Sequence, residues 1–225
     1  MNQFDQHNGV YQARPRRDDS LWGGIIKPNI VVYSIIALCI IVFIWAQIDL
    51  ESLTLMAMWP EWPMPWMFVT SAFMHIDPYH LFFNMFMLFM FGVTLEKMIG
   101  SWRFLSLYLI AGVAGNAGYV VFCMATGSDI PAIGASGAIY GVFACLAILA
   151  PHIRVYLFFF LPLRIFHALL LYAAIDIVLM NSNDSVAHSA HLAGALVGVA
   201  FAFYIKKLIA KRQSYSVSYG FQTGY

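Results

Sequence analysis

The 225-residue chain is 61% hydrophobic and only 10% charged, whereas soluble domains average about 25% charged residues. This composition excludes a water-soluble domain and predicts an all-α polytopic membrane protein. The 12 Lys and Arg residues and 11 Asp and Glu residues leave a net charge of +1, which excludes the concentrated basic surface that nucleic acid requires. Three cysteines lie singly in apolar runs, so they predict core residues rather than disulfides or a zinc site.

The N-terminal third of the chain predicts a tail, one membrane span and a long loop. Residues 1–27 are polar and lack the small-residue cleavage site of a secretory signal, so we expect a flexible cytoplasmic tail. The apolar run from Ile30 to Ala46 predicts the first span. The segment from Gln47 to His80 is rich in Trp and Pro, which predicts an ordered loop lying in the membrane interface.

Five further apolar runs complete a predicted six-span membrane domain over residues 28–208, and residues 209–225 are expected to form a flexible cytoplasmic tail. Several runs are nearer 15 residues than the roughly 20 of a fully lipid-facing helix. Between spans four and five, residues 155–164 are too short to span and contain Pro162, so we expect an interfacial segment. The five runs are Leu81 to Leu95, Phe104 to Met124, Ser136 to Ala150, Ile165 to Met180 and Ala187 to Leu208.

The distribution of positive charge predicts the orientation, because Lys and Arg accumulate in cytoplasmic loops. With six spans and the N-terminus inside, all 12 Lys and Arg residues fall on the inner side, and the outer loops carry only acidic charges. Both termini are therefore expected in the cytoplasm. Spans two, four and six then have their N-terminal ends at the outer face.

Three polar groups interrupt the apolar runs, and each is a functional candidate because polar groups inside a bilayer are costly. His80 and Asn84 open span two on one helix face. Span four opens with the sequence Gly134-Ala135-Ser136-Gly137, and span six contains His188, His191 and Gly194. All three groups are expected at one depth, near the outer face.

A serine at a helix N-terminus beside a histidine matches the requirements of nucleophilic acyl transfer. We predict that Ser136 attacks, that His191 takes its proton, and that His80 and Asn84 donate hydrogen bonds to the oxyanion. The small residues Gly137 and Gly194 would let spans four and six approach closely.

Each feature alone also has a simpler interpretation. Ser136 can be a helix N-cap, the His80 and Asn84 pair can join helices, and His191 can be a satisfied core histidine or a proton relay. Asp176 and Asp184 are expected to be structural acids, although a catalytic triad stays open. His188 is interpreted as a loop-edge or gating residue.

Taken together, these residues resemble the signature of the rhomboid intramembrane serine proteases. The matching positions are Gly134-Ala135-Ser136-Gly137 with Tyr140, His80 and Asn84 preceded by His75, and Ala190-His191 with Gly194. The resemblance extends roughly from Met58 to Lys206. It implies a six-helix bundle with a long interfacial first loop and a Ser136–His191 dyad that uses no metal or cofactor.

The resemblance also implies supporting roles and a substrate class. The Ser136 backbone amide would join His80 and Asn84 around the oxyanion, Tyr140 would pack against His191, and His75 would support the site. Substrates would be transmembrane proteins entering from the lipid past span five, cleaved in or near a transmembrane segment.

Two other function classes remain open. A catalytically silent rhomboid relative would bind membrane proteins without cleaving them, and a transporter would use the same polar residues as a pathway. The six-span form and the family resemblance imply a prokaryotic plasma membrane protein. We expect its site toward the outer face and membrane lipid around it. The sequence names neither a substrate nor an oligomeric state.

Overall fold

The structure, a computed structural model, describes residues 3–5, 10–12, 29–157, 160–182, 184 and 186–222. Within the predicted N-terminal tail, strands β1 (Gln3–Asp5) and β2 (Val10–Gln12) pair in an antiparallel hairpin. The rest of the predicted tail, up to residue 28, lies outside the described residues.

The first helix and the long loop follow in the predicted order. Helix α1 spans Ile30–Ile48, and the loop contains helix α2 (Leu50–Met56), helix α3 (Met67–Thr70) and a 3₁₀ turn (Ser71–Phe73). Two hydrogen bonds from indole N–H groups order this loop, one from Trp59 to the Thr54 carbonyl and one from Trp66 to the Leu55 carbonyl. The predicted ordered loop is therefore present, while its depth in the membrane stays a prediction.

The second predicted span is one continuous helical rod. It consists of α4 (Pro78–Met87), a π-helical segment (Leu88–Gly92) and α5 (Val93–Ile99). The Asp77 carboxylate caps its start by accepting hydrogen bonds from the Tyr79 and His80 amides at 2.8 and 2.9 Å. Pro78 occupies the first helical position, where its missing N–H costs little.

The remaining elements are α6 (Ser101–Thr126), α7 (Ser136–Leu149), β3 (Arg154–Leu157), β4 (Leu161–Arg164), α8 (Ile165–Val178) and α9 (His188–Gln222). Strands β3 and β4 form an antiparallel hairpin where an interfacial segment was expected, with Pro162 inside β4. Helix α9 continues to Gln222, well past the predicted start of a flexible tail at residue 209.

Six apolar helices thus occupy the six predicted runs. Within the part of the chain that the structure describes, four are long and apolar enough to cross a membrane: α1, the rod Pro78–Ile99, α6 and the part of α9 from His188 to Lys211. Helices α7 and α8 have only 14 residues each, fewer than the roughly 20 that a bilayer requires. The mostly helical membrane bundle is confirmed, and the count of six spans stays a prediction.

Helix α7 lies at the centre of the bundle and is buried along most of its length, between α6 and α9. Glycines on α9 allow this close packing. A methyl group at Gly194 would collide with the carbonyl oxygen of Gly137, and one at Gly198 would collide with that of Gly141. The backbones of α7 and α9 are therefore in direct contact, which fixes the relative position of their N-terminal ends.

A buried carboxylate ties the first helix to the second rod. Glu96 is 3% exposed and accepts hydrogen bonds from the Val31 and Val32 amides of α1 at 3.2 and 2.9 Å. It also accepts one from the Ser101 hydroxyl at 2.6 Å. The carboxylate therefore satisfies amides at the start of α1 that have no partner within the helix.

Candidate active site

Ser136 is the first residue of α7, and the loop before it brings other polar groups close. Gly134 has a φ of +124°, a conformation that side chains strongly disfavour, and its amide donates to the Ser71 carbonyl at 2.9 Å. A side chain at Gly134 would begin 2.8 Å from His80 Nε2 and 3.9 Å from Ser136 Oγ. The glycine therefore lets the imidazole of His80 lie against the backbone that leads into Ser136.

His191 lies in the first turn of α9 and is 8% exposed. Its ring stacks on the ring of Tyr140, with centroids 4.2 Å apart and planes 9° apart. Tyr140 is four residues after Ser136 on α7, so it lies on the same helix face as the serine. The stacking therefore holds the His191 ring on the face of α7 that carries Ser136.

A carboxylate binds one ring nitrogen of His191. The ring nitrogen Nδ1 lies 2.9 Å from Asp176 Oδ1 on α8, and Asp176 is buried. An imidazole that donates from Nδ1 leaves the lone pair of Nε2 free as a base. Among the described residues no hydrogen bond joins Ser136 Oγ to His191; such bonds are often long before substrate binds.

His188 binds the same carboxylate and connects it to the last loop. Its Nδ1 lies 2.6 Å from Asp176 Oδ1, and its Nε2 lies 3.2 Å from Asp184. A ring that donates to carboxylates from both nitrogens is protonated. The hydrogen bond from the Val186 amide, followed by that from His188, lowers the pKa of the exposed Asp184 carboxyl.

The two predicted oxyanion donors lie on α4 beside Ser136. The Asn84 side-chain amide donates to the His80 carbonyl at 2.9 Å, and Asn84 lines the same cavity as Ser136. His75 lies edge-on to the His80 ring, with centroids 5.0 Å apart. Burial, with a smaller contribution from His80, lowers the pKa of His75 from 6.5 to about 3, so its ring is neutral.

A cavity of about 170 Å³ opens beside Ser136, between α4, α7 and α8. Aromatic and aliphatic side chains form most of its wall. A second, much smaller cavity of about 10 Å³ lies on the other side of Ser136, toward Asn116. That volume is roughly what one water molecule needs. The residues lining the larger cavity are Phe83, Asn84, Met87, Ser136, Ile139, Tyr140, Phe143 and Tyr172.

The carboxylate and the two histidines that bind it also have the composition of a metal site. Asp176, His188 and His191 each offer one ligand atom, and these atoms lie within 4.8 Å of one another. Both histidines, however, lie at hydrogen-bonding distance from a single carboxylate oxygen, an arrangement that requires protons on the two Nδ1 atoms. The geometry therefore favours an imidazole–carboxylate network, and the expected absence of a metal stays a prediction.

The structure brings the predicted site residues into one region. Gly137 and Gly194 form the contact between α7, which carries Ser136, and α9, which carries His191. From the sequence, Asp176 is expected to be a structural acid and His188 a loop-edge residue. In the structure, His188 and His191 both bind the Asp176 carboxylate. A usable signal existed for Asp176. A lone carboxylate in an apolar run needs a polar partner, and His188 and His191 open the next run.

Comparison with known proteins identifies one family. A family model described as Rhomboid domain matches residues 63–208. Rhomboid protein 1, mitochondrial, of Saccharomyces cerevisiae is 34% identical over 149 residues, which are 64% of this chain and 43% of that protein. Presenilin-associated rhomboid-like protein, mitochondrial, of Homo sapiens is 35% identical over 147 residues, 64% of this chain and 38% of that protein.

A longer alignment is found with Presenilin-associated rhomboid-like protein A, mitochondrial, of Danio rerio. It is 31% identical over 205 residues, which are 87% of this chain and 53% of that protein. This chain therefore spans about half or less of the length of these relatives. The family match includes the helices that carry His80, Ser136, Asp176 and His191, and the chain belongs to the rhomboid family.

Proposed function

We propose that this membrane protein is an intramembrane serine endopeptidase in which Ser136 is the nucleophile and His191 is the general base. The observation that carries the proposal is the orientation of His191. Its ring is stacked on Tyr140 and bound through Nδ1 to Asp176, which leaves Nε2 as the basic nitrogen.

The reaction follows from these positions. His191 Nε2 takes the proton of the Ser136 hydroxyl as Oγ attacks the carbonyl carbon of the scissile peptide bond. The negative oxygen of the tetrahedral intermediate accepts hydrogen bonds from the Ser136 amide, His80 and the Asn84 side chain. When the C–N bond breaks, His191 returns the proton to the leaving amine. Water then hydrolyses the acyl-enzyme by the same steps.

The apolar lining of the cavity supports a class of substrate. We propose transmembrane or juxtamembrane segments of membrane proteins as substrates, because the cavity beside Ser136 is lined mainly by apolar side chains. Cleavage near the outer face follows from the predicted orientation. Both termini would lie in the cytoplasm, as the distribution of Lys and Arg predicts. A prokaryotic cell is what the six-span form and the family resemblance imply. The names of the relatives place those proteins in mitochondria.

Covalent labelling by a fluorophosphonate probe tests the nucleophile without knowledge of the substrate. The purified, detergent-solubilised protein is expected to be labelled, while Ser136→Ala and His191→Ala are not. Ser182→Ala serves as the control, since Ser182 is an exposed serine of the last loop whose hydroxyl donates to the Leu179 carbonyl.

The alternative of a catalytically silent relative makes the opposite prediction. An unlabelled wild type that still captures a transmembrane protein would favour this alternative. Equal labelling of wild type and both variants would place the reactive serine elsewhere and contradict the assignment of Ser136.

A further inference from the structure

The hairpin between α7 and α8 lies at the end of the bundle opposite Ser136. Strands β3 and β4 pair in antiparallel register, and Arg154 is directly opposite Arg164. The base of the hairpin is closed by a hydrogen bond of 2.8 Å from the Ile165 amide to the Ile153 carbonyl. Since Ile165 begins α8, the two arginines are fixed next to the first turn of an apolar helix.

The two faces of the hairpin differ in character. Val155 and Leu163 are partly buried and pack against the helical core. Because successive side chains alternate between faces, Arg154 and Arg164 share the opposite face, where both are exposed.

Placing two arginines directly opposite each other is unfavourable without a counter-charge. Directly opposite side chains have Cβ atoms about 4.5–5.5 Å apart, and like charges at that spacing repel. Among the described residues, neither guanidinium has an ion-pair or hydrogen-bond partner. An anion between the two would remove the repulsion, and a phosphate accepts paired hydrogen bonds from guanidinium groups.

We propose that Arg154 and Arg164 form a binding site for the phosphate of an anionic phospholipid. The apolar neighbours favour a lipid over a free phosphate. Tyr156, on the same face as the arginines, is 62% exposed, and Leu161 near the hairpin turn is 50% exposed. Arginines beside exposed aromatic and aliphatic side chains suit the boundary between headgroups and acyl chains. The site is independent of whether the protein cleaves peptide bonds.

Native mass spectrometry in mixed micelles of phosphatidylcholine and phosphatidylglycerol tests the proposal. The wild type is expected to retain phosphatidylglycerol preferentially, and Arg154→Gln/Arg164→Gln is expected to bind it about 30-fold more weakly, with about five-fold for each single change. Lys206→Gln/Lys207→Gln is the matched control, because it removes two exposed charges from α9. This control should retain most of the preference. Arg154→Lys/Arg164→Lys keeps both charges but loses the paired hydrogen bonds, so it should bind phosphatidylglycerol more weakly than the wild type and more tightly than the double glutamine variant.

Several results would overturn the proposal. One is an equal loss of phosphatidylglycerol in the α9 control, because net charge rather than the arginine pair would then explain retention. Another is competition by inorganic phosphate as strong as by the lipid, which would indicate a site for a free anion. A third is wild-type retention in the double arginine variant. Because both arginines are exposed, thermal unfolding in detergent is expected to show that this variant folds normally.

Discussion

At the scale of single residues, the side chain that most changes the interpretation of the site is Asp176. Its Oδ1 atom accepts from both His188 and His191, at 2.6 and 2.9 Å, and the residue is 2% exposed. A buried carboxylate in this position orients the imidazole and stabilises the imidazolium that forms when Ser136 loses its proton. The proposed dyad is thus supported by a third group.

Replacing Asp176 by Asn tests this support. The amide keeps the shape of the side chain but loses the negative charge, and it favours the wrong tautomer of His191. We expect kcat to fall by about 10²–10⁴-fold with little change in KM, measured on a cleavable transmembrane substrate. Asp184→Asn, at the exposed acid of the last loop, should have a much smaller effect. A near-normal kcat for Asp176→Asn would show that Ser136 and His191 act without the carboxylate.

His75 predicts how stability depends on pH. Its pKa falls from 6.5 to about 3 in the folded protein, mainly because burial disfavours the charged ring. Below pH 6.5, His75 is therefore protonated in the unfolded chain but stays neutral in the folded protein. The contribution of His75 to the free energy of unfolding is therefore fully present above pH 6.5. It decreases toward pH 3 by up to about 1.4 kcal/mol per pH unit.

Chemical unfolding of the detergent-solubilised protein between pH 7 and pH 4 measures this slope. His75→Gln should show a shallower decrease than the wild type, whatever its absolute stability. His152→Gln is the control, since His152 is exposed. Parallel slopes for wild type and His75→Gln would contradict the assignment.

At the scale of helices, the contact between α7 and α9 determines whether the catalytic groups meet. Gly194 and Gly198 of α9 lie directly on the carbonyl groups of Gly137 and Gly141 of α7. Ser136 precedes the first of these contacts, and His191 precedes Gly194 by three residues. A shift of either helix would therefore separate the serine from its base.

Gly194→Ala tests the role of this contact. The added methyl group would collide with the Gly137 carbonyl group, so α9 must move away from α7. We expect the free energy of unfolding to fall by about 1–3 kcal/mol or more and fluorophosphonate labelling of Ser136 to fall with it. The measurements are unfolding in detergent and the labelling rate.

Gly112→Ala in α6 is the matched control for Gly194→Ala. Its new methyl group would lie 3.5 Å from the Ala138 Cβ atom, an ordinary van der Waals distance. Stability should be unchanged or raised by about 0.5–1 kcal/mol, because alanine favours helix more than glycine does. Equal effects of the two substitutions would mean that the α7–α9 contact is not tight.

At the scale of the whole molecule, the positions of charged residues predict its orientation. All 12 Lys and Arg residues fall on one side of a six-span arrangement. The loop between α6 and α7, with Asp129, and the turn between α5 and α6, next to Lys97, then lie on opposite sides of the membrane. The same orientation places Ser136 near the outer face and the arginine hairpin near the inner one.

Cysteine accessibility in intact bacterial cells measures this orientation. After replacement of the three buried cysteines, Asp129→Cys should react with a membrane-impermeant maleimide. Lys97→Cys should react only after the cells are permeabilised. Both parent residues are exposed, so a reversed pattern would reverse the orientation, and labelling of both sites from outside would refute the span count.

Composition and local pattern determine much of this protein from the sequence alone. Apolar runs predict all six apolar helices, because a chain in lipid must satisfy its backbone within helices. Polar residues within those runs identify Ser136, His80, Asn84 and His191, since such residues persist in a bilayer only for a reason. The hairpin at β3 and β4 was not predicted, because short strands among aromatic residues resemble an interfacial segment.

Only the tertiary structure decides how these groups face one another. Asp176 and His191 are 15 residues apart on separate helices, and the sequence fixes neither the angle between α8 and α9 nor the rotation of each helix. These depend on the packing of α7 between its neighbours and on glycines that let backbones touch. Local sequence determines which residues are polar and predicts their depth, whereas long-range packing decides which of them become partners.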